Sequence, residues 1–159
     1  MQISTRHSYQ ADIDTVIAMM ADEVWLSAVA RHAGADRWQV SSGADGSHVE
    51  AELAAPQKAV PFTGPTLKVK LDMFWPPSSN AGTRDGRIEV HIPGMPATMI
   101  GTGRMVSNGG TTDIDYDADF TIKLPLIGRG LEAAAAPYVR RVIDTQQQVG
   151  NDYLAGRLA

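Results

Sequence analysis

Residues 124–158 read LPLIGRGLEAAAAPYVRRVIDTQQQVGNDYLAGRL, the part of the chain on which the predicted architecture depends most. Tyr138 to Leu154 contains almost no helix breaker, which predicts a helix of about 30 residues and roughly 45 Å in length. A helix of this kind is not stable on propensity alone, so we expect the rest of the chain to cover its apolar side. Small or apolar residues that share one stripe of the helix are Leu131, Ala135, Tyr138, Val142, Val149 and Tyr153.

The composition is typical of a soluble protein. The 159 residues are 43% hydrophobic and 20% charged, which predicts a single domain over residues 1–159. The net charge of −4 gives no basic surface for nucleic acid, and no apolar run is long enough to span a membrane. The chain has no cysteine, and its first residues, MQISTRHSYQ, lack a signal-peptide pattern. We therefore expect a cytoplasmic protein that neither binds nucleic acid nor inserts into a membrane.

The N-terminal part of the chain predicts one strand followed by helix. Polar and apolar residues alternate over Gln2–Tyr9, as in a half-buried strand. Asp12 is a suitable N-cap for a helical pattern that extends to Gly34. This pattern predicts either one helix or two short helices separated near residues 21–22. The side chains that share one face of the first strand are Ile3, Thr5, His7 and Tyr9.

The middle of the chain predicts about six strands. Two of these flank the turn residues 43–46, and two more follow the proline-containing loop Ala55–Pro65. A further pair, 98–106 and 111–123, flanks Ser107-Asn108-Gly109-Gly110 and predicts a tight hairpin. The strands on either side of the exposed turn 76–82 cover residues 67–75 and 88–92.

The last hairpin also permits a prediction of its register. A two-residue loop at Asn108-Gly109 would place Arg104 opposite Asp113. The same register places Gly103 opposite Ile114 and Gly101 opposite Tyr116. Large residues opposite glycines predict a strongly curved sheet or a hollow above it.

The order of strand, helix, six strands and long helix predicts an α+β protein with an antiparallel sheet. This order resembles the helix-grip fold of the START-like (SRPBCC) superfamily. That superfamily includes plant pathogenesis-related allergens of the Bet v 1 type, lipid-transfer START domains and polyketide cyclases. The junction Leu124-Pro125-Leu126-Ile127-Gly128, followed by Glu132, is similar to one in bacterial START-like proteins, including a branch of unknown function, and the chain resembles that branch most. The resemblance implies a curved sheet wrapped around the C-terminal helix, with a cavity between them for a hydrophobic small molecule.

Methionines, aromatic residues and the helix stripe supply the candidate lining of that cavity. The same residues would serve equally as plain core. Gln146 lies on the apolar stripe, where its amide would either orient a ligand or turn to solvent. Pro137 predicts a bend in the helix, which would either open a portal near Ala55–Pro65 or follow the core. The candidate ligand-binding residues are Met20, Trp75, Met99, Tyr116, Tyr138, Val142 and Gln146.

His7 is the candidate catalytic residue, because its strand pattern points it inward. Paired with Tyr9 or a carboxylate, it would act as a general base in a cyclase or dehydratase. The alternative is a histidine whose hydrogen bonds are satisfied in the core. We expect neither a metal nor a cofactor. The four aspartates on one face of a single strand predict a solvated surface paired with Arg104 and its neighbours, and they are Asp113, Asp115, Asp117 and Asp119.

Two functions of different classes follow. The first is a non-catalytic carrier or sensor for a lipid or polyketide-like molecule, and the second is the enzyme just described. A cavity lined by apolar groups alone favours the carrier, whereas a His, Tyr and Asp set within hydrogen-bond reach favours the enzyme. A filled core with a role in protein contacts is a third possibility, and the oligomeric state is left open.

Overall fold

A computed structural model describes residues 1–158. Seven antiparallel strands form one sheet in the order β1-β7-β6-β5-β4-β3-β2, so the first strand is an edge strand beside the last one. The long C-terminal helix packs against β7, β1 and the second helix. The α+β architecture predicted from the order of the elements is therefore confirmed. The elements are β1 (Gln2–Tyr9), α1 (Ile13–Met20), α2 (Glu23–His32), β2 (Arg37–Gly43), β3 (Gly46–Ala54), α3 (Val60–Thr63), β4 (Thr66–Phe74), β5 (Thr83–His91), β6 (Ala97–Asn108), β7 (Thr111–Ile122) and α4 (Gly128–Leu154).

The helical segment after β1 consists of two helices, the second of the two forms predicted. The Asp12 carboxylate accepts a hydrogen bond from the Thr15 N–H at 2.7 Å and caps α1. The Asp22 carboxylate does the same for the Val24 N–H at 2.8 Å and caps α2. Each cap satisfies a backbone donor that the first turn of a helix leaves free. A second cap ten residues after the first therefore ends one helix and starts another.

The loop Ala55–Pro65 contains a short helix that the sequence analysis did not predict. This helix, α3, has Pro61 in its first turn, where a missing N–H costs no hydrogen bond. The prolines that predict irregular chain here are thus compatible with one turn of helix. Val60 and Phe62 remain exposed on it.

The β6–β7 hairpin has a register two residues away from the predicted one. Its loop is Gly109-Gly110, and both glycines have positive φ, at 59° and 91°. Two positive-φ positions in a two-residue hairpin loop favour glycine at both, whereas the predicted loop would place Asn108 at one of them. Gly103 therefore lies opposite Tyr116, and Gly101 lies opposite Ala118. Because the shift is an even number, every side chain keeps its predicted face.

The register also corrects the predicted partner of the acidic strand face. Arg104 lies opposite Asp115 but pairs with Asp85 on β5, its Nε donating to Oδ1 at 2.8 Å. Asp115 instead accepts from Arg6 on β1, with a distance of 2.7 Å from Nε to Oδ1. The hydroxyl of Ser8 donates to Asp113 at 2.6 Å. This face of β7 is thus bound to β1, which the sequence analysis did not consider as its neighbour.

The helix α4 begins at Gly128 and has 27 residues, slightly fewer than predicted. Gly128 is buried so close to the Ile122 carbonyl that a Cβ would overlap it. The Glu132 carboxylate accepts a hydrogen bond from the Ile122 N–H at 3.1 Å. Together these contacts fix the start of α4 against the end of β7. Pro137 lies inside the helix, which continues through it.

The other end of α4 is fixed by two further contacts. Gly150 lies against the ring of Tyr9, so that an added Cβ would overlap Tyr9 Cε1. The Tyr153 hydroxyl donates to the Asp22 carboxylate at 2.5 Å, which connects α4 to the start of α2. The last turns of the helix are thus closer to Tyr9 of β1 and Met19 of α1 than a side chain at position 150 would allow.

Replacement of Gly150 by alanine tests this close approach. We expect Gly150→Ala to lower the free energy of unfolding by about 1–3 kcal/mol, because the methyl group forces Tyr9 to move. Gly130→Ala in the same helix is the matched control, since nothing lies within 4 Å of a Cβ at that position. The control should raise the free energy of unfolding by about 0.5–1 kcal/mol. Equal effects of the two substitutions in urea denaturation would contradict the packing described here.

Candidate functional site: an apolar cavity under the C-terminal helix

A cavity of about 430 Å³ lies between the sheet and α4. Its walls come from β1, α2, strands β3 to β7 and the middle of α4. The lining residues Tyr138 and Arg141 are exposed, so the cavity reaches the surface beside the helix. The size lies within the range of about 300–1,000 Å³ that is usual for small-molecule pockets.

The lining of the cavity is almost entirely apolar. Strands β3, β4 and β5 contribute a continuous aliphatic surface to the wall, because alternate residues of each strand share a face. The polar residues Thr5, Thr98, Thr102 and Gln146 also line it. Arg141 is the one charged side chain among the described lining residues. The aliphatic surface from β3, β4 and β5 consists of Val49, Ala51, Leu53, Leu67, Val69, Leu71, Ile88 and Val90.

Small residues on β6 and β7 make room for the cavity. Gly101 and Ala118 lie opposite each other and both line it. A Cβ at Gly101 would lie 2.7 Å from that of Ala118, so no side chain fits at position 101 without adjustment. The neighbouring hollow above Gly103 is filled, because a Cβ there would lie 2.5 Å from Trp75 Cη2. The hollow predicted above the glycines therefore exists at position 101 and is closed at position 103.

His7 lies next to this cavity but is not one of the residues that line it. It is 2% exposed, and its Nδ1 lies 3.4 Å from the Tyr9 hydroxyl. Its ring packs edge-on against Tyr116, with 5.1 Å between the ring centroids. Burial lowers the pKa of His7 to about 4, although the negative charge of Asp144 acts in the opposite direction. His7 is therefore neutral at pH 7.

The buried tyrosines next to His7 are also held neutral. Burial raises the pKa of Tyr9 and of Tyr116 above the usual value. Asp144, the carboxylate that acts on His7, forms no hydrogen bond with it. The residues described thus do not form the His, Tyr and Asp set that an enzyme of the predicted type requires. Within the same residues, no group of three or more His, Asp or Glu side chains is placed to hold a metal ion.

Comparison with known sequences gives a family. Residues 4–154 match the model of a family described as a protein of unknown function, DUF2505. The chain belongs to this family. No curated protein sequence matches it significantly. The family assignment thus covers nearly the whole chain and carries no activity with it.

Solved structures similar to this DUF2505 protein share its fold at low sequence identity. TTHA0849 from Thermus thermophilus has a TM-score of 0.63 and 13% identity, over 98% of this chain and 99% of that one. A START superfamily protein from Mycobacterium smegmatis has a TM-score of 0.59 and 11% identity, over 96% and 98%. The major latex-like protein 151 from Panax ginseng has a TM-score of 0.50 and 10% identity, over 93% and 95%. The predicted helix-grip fold of START-like and Bet v 1-like proteins is therefore confirmed.

The structure places five of the seven candidate ligand-binding residues on the cavity wall. These are Met99, Tyr116, Tyr138, Val142 and Gln146, of which Gln146 is half-buried and does not turn fully to solvent. Their part in binding a ligand stays a prediction.

The other two candidates, Met20 and Trp75, lie elsewhere. Met20 is 2% exposed in the core around α1 and α2. Trp75 covers Gly86 and Gly103, which face each other on β5 and β6. An apolar residue type alone could not distinguish core from cavity wall at either position.

Sequence reasoning missed most of the wall. The aliphatic residues of β3, β4 and β5 lie in strands with a clear alternation, but alternation does not reveal what covers the inner face. Ala33 and Gly34 at the end of α2 also line the cavity, and their small size gave no signal.

Within residues 1–158, no helix combines the length and apolar character needed to cross a bilayer.

The buried histidine predicts a pH dependence of stability. Its pKa is about 4 in the folded protein and about 6.5 when unfolded, so only the unfolded chain takes up a proton between these values. The contribution of neutral His7 to the free energy of unfolding is therefore complete above pH 6.5. It decreases as the pH falls towards 4, by at most about 3 kcal/mol. In denaturation series from pH 4 to 8, the decrease should be smaller in His7→Asn than in the unmodified protein.

His48 provides a control of opposite sign. Hydrogen bonds to Asp72 and then Asp45 raise the pKa of His48, so its contribution is present below pH 6.5 and decreases as the pH rises above this value. His48→Asn should therefore lose more stability at pH 5 than at pH 8. A His7→Asn curve parallel to that of the unmodified protein would contradict the neutral state of His7.

Proposed function

We propose that this DUF2505 protein binds a hydrophobic small molecule, such as a lipid or a polyketide-like compound, in the cavity under α4. It acts as a carrier or sensor and performs no reaction on the ligand. The observation that supports this proposal best is a cavity of about 430 Å³ with an almost wholly apolar wall. The START-like fold, in which a long helix and a curved sheet enclose such a space, is consistent with this proposal.

The chemistry of the wall selects for apolar ligands. Each methylene group that moves from water into the cavity contributes about 0.8 kcal/mol. A polar molecule would exchange hydrogen bonds with water for contacts with aliphatic side chains such as Val69, Leu71 and Val90, at a cost of about 1–3 kcal/mol for each group left without a partner. Chains or fused rings of carbon are therefore favoured over sugars or nucleotides.

The environment of His7 favours the carrier over a cyclase or dehydratase. A general base must come within about 3 Å of the proton that it removes. His7 does not line the cavity, and its side chain is 2% exposed, so a ligand there does not reach it. The volume of the cavity likewise argues against the third alternative, a protein with a filled core that serves only protein contacts.

Native mass spectrometry of the purified protein is the direct test. We expect a stoichiometric apolar molecule bound to the chain, which denaturing extraction would then release for identification. The physical reason is that an empty apolar cavity of this size gains free energy from any hydrocarbon that fits. A protein that carries nothing and also fails to bind fluorescent fatty-acid probes would refute the proposal.

Filling the cavity provides a second test. Ala118→Leu adds three carbon atoms beside Gly101 and should weaken the binding of a fluorescent fatty-acid probe by about tenfold or more, since about three methylene positions are lost. Ala133→Leu is the matched control, because Ala133 is exposed on α4 and does not line the cavity. Both variants should keep the circular dichroism spectrum of the unmodified protein. Unchanged binding by a folded Ala118→Leu variant would place the ligand elsewhere.

A further inference from the structure

The mouth of the cavity carries one positive charge on an otherwise uncharged and mostly apolar wall. Arg141 is in the middle of α4, between cavity-lining residues on the preceding and following turns. It is exposed, whereas the aliphatic wall lies below it. A ligand whose carbon chain fills the cavity would therefore bring its last atoms close to a guanidinium group.

The guanidinium group of Arg141 has no acidic partner. Among residues 1–158 it forms no ion pair and donates no hydrogen bond to another side chain. Other arginines of the same chain are paired, since Arg6 binds Asp115 and Arg104 binds Asp85 through two nitrogen atoms each. The five N–H groups of Arg141 are thus available at the mouth.

Tyr138 holds this group in position. The Cζ atom of Arg141 lies 5.7 Å from the centroid of the Tyr138 ring, three residues earlier on the same face of the helix. Tyr138 is itself 47% exposed and lines the cavity. A guanidinium held over an aromatic ring has less conformational freedom to lose when it binds an anion.

We propose that the ligand is an amphiphile with one carbon chain and one terminal oxyanion, a carboxylate or a phosphate monoester. The chain occupies the cavity and the oxyanion pairs with Arg141 at its mouth. A planar guanidinium binds either group through two parallel hydrogen bonds, which an alcohol cannot match. This inference rests on the proposed function and narrows its ligand class.

The test compares ligands that differ in the head group alone. Dodecanoate, dodecyl phosphate and dodecan-1-ol are titrated against the purified protein in competition with a fluorescent fatty-acid probe. We expect at least one of the two anions to bind about fivefold more tightly than the alcohol, the size of effect usual for an exposed charge pair. Added salt should reduce this preference and leave the binding of the alcohol unchanged. The tighter anion identifies which oxyanion the site prefers.

Variants of two neighbouring arginines attribute the preference to one side chain. Arg141→Gln should abolish the preference for the anion without weakening the binding of the alcohol. Arg141→Lys, which keeps the charge, should retain part of it. Arg140→Gln is the matched control, because Arg140 is exposed on the same helix, does not line the cavity and carries the same charge.

The outcomes separate this inference from the proposed function. Equal binding of anion and alcohol by the unmodified protein would overturn the inference and leave a carrier of neutral ligands. An equal loss of both ligands in Arg141→Gln, or an equal effect of Arg140→Gln, would also overturn it. Failure of all three ligands to bind would overturn the inference, whereas the proposed function, which also admits fused-ring ligands, is refuted by the native mass spectrometry and probe binding described above.

Discussion

The structure depends on the need to cover one side of a 27-residue helix. A helix of this length gains most of its stability from packing and little from propensity. Its final turns are covered by direct contact, with Gly150 against Tyr9 and Tyr153 bound to Asp22. Its first turn is attached to the end of β7 through Gly128 and Glu132. Between these ends the helix lies above the cavity.

The cavity is a consequence of how the sheet is built. Side chains of Trp75 and Tyr116 fill the concave face near β5 and β6, where Gly86 and Gly103 give them room. One pair further along, the atoms nearest to a Cβ at Gly101 belong to Ala118 and Asp117 and not to an aromatic ring, and Gly101 and Ala118 line the open cavity. Whether this part of the sheet carries packed core or open cavity thus depends on which glycine an aromatic side chain covers.

Much of the fold could be predicted from local patterns. The alternation of β1 and the cap at Asp12 specified their elements directly, because each depends on residues close together in the chain. The register of β6 and β7 was wrong by two residues, since two adjacent loops compete for one hairpin and the left-handed backbone of Gly110 decides between them. The pairing of Arg6 with Asp115 joins strands more than 100 residues apart, and no local pattern reports it.

The cavity wall was predictable on the helix and not on the sheet. A helix stripe presents a single surface, so Tyr138, Val142 and Gln146 followed from their spacing. A strand residue such as Val69 has the same pattern whether it faces a packed core or an open space. Met20 and Trp75 illustrate the reverse, as apolar residues that the tertiary packing uses as core. The distinction depends on volumes that residues from eight elements enclose together.

Helix α4 is attached to the rest of the protein at both of its ends. The part of the helix between the two attachments lies over the cavity and contains Pro137, where one backbone hydrogen bond of the helix is missing. A bend near Pro137 therefore deforms the helix most easily and leaves the contacts at both ends intact. The same proline thus makes the segment of α4 that covers the cavity less stiff than the two attached ends of the helix.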